Sequence, residues 1–152
     1  MGYAVRRDRF EAAGAECSNI DTELAGKQIP YDVTMVLVPY GAGEESAALA
    51  LASLLSIAHE VTGQPMLRTL RFATVPRVPG ALEKMAERLR ADGDRLKYLH
   101  VLGGMPERLE EIWGLKALGT AIEVLALPSS AMDAVAFTKA LRDKILAQTG
   151  QP

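Results

Sequence analysis

Cysteine and histidine are nearly missing from this 152-residue chain, which has one cysteine, Cys17, and two histidines, His59 and His100. A lone cysteine excludes an internal disulfide framework and fits a reducing compartment. Excess charge of either sign is missing too. A formal net charge of −2 gives no electrostatic basis for binding nucleic acid or an anionic membrane. The first ten residues, MGYAVRRDRF, are charged and lack the apolar core of a signal peptide. No uninterrupted apolar run approaches the roughly 20 residues that span a bilayer. These absences lead to the expectation of a cytoplasmic protein without a membrane span, with a mature form cut from an exported precursor as the alternative.

What is present is a chain with 49% hydrophobic and 24% charged residues, enough for one globular domain over 1–152 with a real core. Its centre is Asp32 to Val61, which reads as a buried strand over 33–38, a glycine turn at Gly41 and Gly43, and an apolar helix. Such a strand, rich in β-branched residues, suits a position covered on both faces. Glu44 and Glu45 fall in the first helical turn, where carboxylates favour the positive end of the dipole. Apolar residues from Ala47 to Ala58 cover almost the whole helix, which predicts deep burial on every side.

Two strands at about 3–24, turning at Gly14, form a hairpin whose charged faces are expected to meet water. After the central unit, strands at 68–75, 97–102 and 121–127 alternate with helices at 81–91, 106–117 and up to about 147. Pro106 stands in the first turn of the second of these helices. Ser129 or Ser130 caps the last, with Asp133 completing a box-like pattern. No internal repeat, low-complexity tract or second domain is visible. The pattern predicts a three-layer α/β/α fold with a mixed, mainly parallel central sheet, divided into the hairpin and an α/β core over about 32–148.

Several of these fragments resemble one family. Gly2-Tyr3-x-Val5, Cys17-Ser18-Asn19-Ile20 and Glu23-Leu24-x-Gly26 are similar to the opening hairpin of the M28-type zinc aminopeptidases. The buried strand, the glycine turn, the alanine- and leucine-rich helix, RTLRF at 68–72, MAERLRADG at 85–93 and the Gly-Gly-Met ending at Met105 follow in the family's order. The resemblance implies a zinc-peptidase fold. It also implies a ligand set that this sequence does not supply. The family's first histidine falls on Pro39, with Tyr40 kept and Gly41 in place of aspartate. The bridging aspartate falls on Ser46, the paired glutamates near Val78 and Pro79, and the next carboxylate near Gly103; the late histidine has no counterpart after His100. Proline, valine and glycine side chains cannot ligate zinc, and serine is a poor substitute.

The expectation is therefore a peptidase-like domain with no catalytic residues, no metal and no cofactor, serving to bind a protein partner or to self-associate. Its old cleft would use Tyr40, Glu44, Glu45, Ser46, Arg77 and Met105. Trp113 is a candidate interface anchor, with ordinary core packing as the alternative. Two other functions stay open. One is a hydrolase with a displaced metal site drawn from Glu44, Glu45, His59 and His100. The other is a small-molecule site at the Gly41–Ser46 turn, although that turn lacks the third glycine and the lysine of a phosphate loop.

Overall fold

The computed structural model describes residues 5–12, 14–41, 44–62, 64, 66–127 and 131–149, with backbone alone at 44–47, 49 and 131. In chain order the elements are β1 (Val5–Ala12), β2 (Ala15–Leu24), β3 (Ile29–Tyr40), α1 (Glu44–Val61), β4 (Arg68–Pro76) and α2 (Ala81–Ala91). They continue with β5 (Arg95–Leu102), α3 (Leu109–Trp113), α4 (Leu115–Leu118), β6 (Ala121–Leu125) and α5 (Ala131–Thr149). The six strands form one sheet in the order β1-β2-β4-β3-β5-β6. β4, β3, β5 and β6 run parallel, while β1 and β2 join antiparallel at one side. This is the mixed α/β architecture the strand–helix alternation predicts.

β3 is central because both of its faces are apolar. Side chains alternate across a strand, so Val33, Met35 and Leu37 pack under α2, α3 and α4, together with Met85, Leu89, Leu109 and Trp113. Val36 and Val38 face the other way, toward Leu54 and Ile57 of α1 and Leu141 and Ile145 of α5. Each fully buried aliphatic side chain of this kind contributes about 1.5–3 kcal/mol before the entropy cost of ordering it.

Three expectations need correction. The helix read over 106–117 is two short helices, because Gly114 adopts a left-handed φ of 65° that ends α3 and starts α4. Pro106 lies before the first helical residue, Leu109, and Arg108 precedes it with φ 63°. α1 is not buried all round: Ile57 and Val61 are fully enclosed, but Leu55 is 65% exposed. The hairpin, finally, does not turn its charges only to water. Arg6 donates to Asp21 at 2.7 Å and to Asp92 at 2.8 Å, and Asp21 is buried against the enclosed guanidinium of Arg71. Ser129 and Ser130 lie outside the described residues.

No helix among the described residues is long and apolar enough to cross a membrane.

Candidate functional site

In a parallel sheet ligands gather where the strands end at their carboxyl edge. Here that edge is formed by Tyr40, Pro76, Leu102 and Leu125 and the turns that leave them. Two main-chain bonds tie the turns together: the Arg77 amide donates to the Tyr40 carbonyl at 2.7 Å, and the Gly103 amide to the Leu125 carbonyl at 2.9 Å. Arg77 then crosses the edge. Its stem lies on Gly41, where a Cβ would come within 3.2 Å of the Arg77 Cβ. Its Nη2 donates to the Gly104 carbonyl at 2.7 Å. The tight glycine exit thus makes room for an arginine stem.

Beside Arg77 opens a pocket of about 350 Å³. Val75, Leu82 and Ile112 give it apolar walls, Pro39, Pro76, Pro79 and Pro106 stiffen its backbone, and Glu83 and Glu107 bring carboxylates. The carbonyl of Leu82, one of its wall residues, accepts a hydrogen bond from Trp113 Nε1 at 2.9 Å.

The candidate residues do not all come together. Arg77 lines this pocket. Met105 is half-buried beside it and packs on the α2–α3 core. Tyr40 turns to the opposite face of the sheet, lines a different groove, and donates from its hydroxyl to the Ser18 carbonyl at 3.4 Å. Burial pushes its phenol above the usual range. The side chains of Glu44, Glu45 and Ser46 lie outside the described residues. Trp113 is only 7% exposed and sits in the core, so its surroundings fit the packing alternative and leave little surface for an interface anchor.

The histidines sit apart from the edge and from each other's partners. His100 is buried within β5, with Nδ1 2.9 Å from Glu123 Oε1 and Nε2 2.7 Å from Gln148 Oε1. A hydrogen bond from Lys144, helped by His100, holds the Glu123 carboxyl below its ordinary range against the opposing effect of burial. His59 is exposed in the last turn of α1. It stands about 22 Å along the helix from Glu44, at a rise of about 1.5 Å per residue. Among the described residues, no three His, Cys, Asp or Glu side chains are grouped as a metal centre would require.

Glu83, Pro106 and Glu107 were not foreseen as site residues. Their only signal in the sequence is the Pro79-Gly80 and Gly103-Gly104 turns, which bring two strand ends to the same side.

This arrangement of strands and helices is found in known structures. An aminopeptidase from Aneurinibacillus sp. strain AM-1 superposes with a TM-score of 0.66 at 14% identity, over 90% of this chain and 49% of its own. A glutaminyl cyclase from Macrostomum lignano superposes with a TM-score of 0.54 at 13% identity, over 91% of this chain and 63% of its own. The fold is zinc-peptidase-like. The chain spans about half the length of the aminopeptidase it matches. No family model matches the sequence, and a search of curated proteins finds no similar one.

Proposed function

We propose that the chain is a noncatalytic binding or assembly domain built on the zinc-peptidase-like fold. The observation that carries this reading is Arg77, laid across the carboxyl edge from Gly41 to the Gly104 carbonyl. A guanidinium has donors and no acceptor, so it offers a metal ion nothing and repels a dication placed beside it. Of the positions at which the family resemblance sets the ligands and general base, Pro39, Val78, Pro79 and Gly103 have no donor side chain, and Ser46 offers only a hydroxyl, a poor zinc ligand. A displaced site made from Glu44, Glu45, His59 and His100 is disfavoured by the helix length between the glutamates and His59, and by the two partners that His100 already holds.

The pocket of about 350 Å³ is within the size range of small binding sites. Its apolar walls suit a side chain from a protein partner, and Glu83 and Glu107 favour a basic residue next to it.

Two measurements test the reading. Hydrolysis of aminoacyl anilides is expected to stay at the buffer rate with or without added zinc; zinc-dependent turnover abolished by a chelator would overturn the noncatalytic assignment. A photoreactive group at position 83 should give partner crosslinks that the same group at Glu87, away from the pocket, does not. Equal labelling from both positions would sink the assignment of the pocket.

A further inference from the structure

The two faces of the β1–β2 hairpin are covered unequally. On one side α2 reaches over both strands, burying Asn19 and Asp21. On the other side α1 packs against α5 and β3, and a groove of about 370 Å³ is left between α1 and the hairpin. Leu51, Leu54 and Leu55 form its helical wall, Val5 and Ile20 its strand wall, and Phe72 its floor. Val5 and Leu55 are 64% and 65% exposed.

Asp21 and Ala73 line the groove through main chain, since their side chains face the other side of the sheet, Asp21 toward Arg71 and Ala73 into the α2 core. No carboxylate side chain among the described residues therefore lines it. Arg7 is paired in register with Ile20, so the two side chains share a face at the close spacing of cross-strand neighbours. An exposed arginine thus shares its face of the hairpin with the groove's apolar strand wall.

We propose that this groove binds a free, single-chain alkyl carboxylate, with the chain along Leu51, Leu54, Leu55 and Phe72 and the carboxylate paired with Arg7. This site is separate from the pocket at the carboxyl edge and stands whether or not that pocket binds a partner. Its apolar lining removes the chain from water, and Arg7 on the same face favours an anionic head over a neutral or cationic one.

The test is calorimetric titration of the full chain with monomeric decanoate, with decanol and with vesicles of anionic phospholipid. One saturable decanoate site per chain is expected. Leu55→Asn, at a mostly exposed helical position that leaves the fold intact, should weaken it roughly tenfold, as loss of an apolar contact of this size implies. Arg7→Gln should weaken decanoate about two- to fivefold, the range of an exposed ion pair, and leave decanol unchanged. The proposal is overturned if decanoate does not saturate, if affinity is indifferent to Leu55→Asn, or if Arg7→Gln affects both ligands alike. It is also overturned if only the vesicles bind, or if the unliganded chain proves to be a dimer that Leu55→Asn dissociates.

Discussion

The two ends of the sheet are chemically opposite. At the carboxyl edge the described residues include prolines, glycines, one exposed arginine, Arg77, and the carboxylates of Glu83 and Glu107 beside the pocket, with no buried ionic cluster among them. Toward the amino end, under the end of α2, it buries a dense ionic cluster. Arg71 is fully enclosed, donating from Nε to Asp21 at 2.9 Å and from Nη1 to Asp92 at 3.0 Å, with Asp94 in closer contact. Arg6 closes the cluster from β1, and Arg88 holds Asp8 next to it. In this chain convergent charge ties the hairpin, β4 and α2 together.

The sharpest way to break that comparison is to remove one arginine from each end. Arg71→Ala leaves Asp94 buried without its counter-ion and Asp21 with Arg6 alone, and should cost about 3–5 kcal/mol. Arg77→Ala removes an exposed side chain and one hydrogen bond, and should cost under about 1 kcal/mol. Urea denaturation of both variants, followed by the fluorescence of the single tryptophan, checks the order. Equal losses would mean that the two ends do not differ in the way described.

A smaller effect comes from pH. Burial raises the Asp94 carboxyl to about 6, against the opposing pull of Arg71, with Glu23 and Asp92 adding to the rise. The sign follows from proton binding. Asp94 holds a proton in the folded chain at pH values where it has lost it in the unfolded chain, so its contribution to stability is present at low pH and is lost as pH rises through about 6. Asp8 works in the opposite sense. Its hydrogen bond from Arg88 lowers its carboxyl, so that contribution is lost on acidification. Subtracting the stability–pH profile of Asp94→Asn from that of the parent should leave a difference that falls between about pH 4 and 7. A flat difference would remove Asp94 from the account.

Much of the fold was legible because each signal was local. The apolar run at 33–38, the alternation of strands and helices after it, and the turn at Gly14 need no distant partner to be read. The failures share a cause. Arg6, Asp8, Asp21 and Arg71 look like solvated charges to any periodicity argument, because their partners lie 15 to 86 residues away. Arg71 in the middle of an apolar strand was the one available hint. Leu55 looked like core because the sequence of α1 cannot say that the sheet beyond it is uncovered. The break at Gly114 overrode a continuous apolar pattern, since a left-handed residue ends a helix whatever surrounds it. At the site, Arg77 could be placed near the edge from its position after β4, but its reach to Gly104 depends on how β4 and β5 lie across β3.

The central claim is that the carboxyl edge has no metal centre to work with. Its most direct test is zinc content by mass spectrometry on untagged protein purified without chelator, and again after zinc loading and desalting. The account predicts near-zero zinc both times. One or two tightly held ions per chain would contradict it and make the edge a metal site after all.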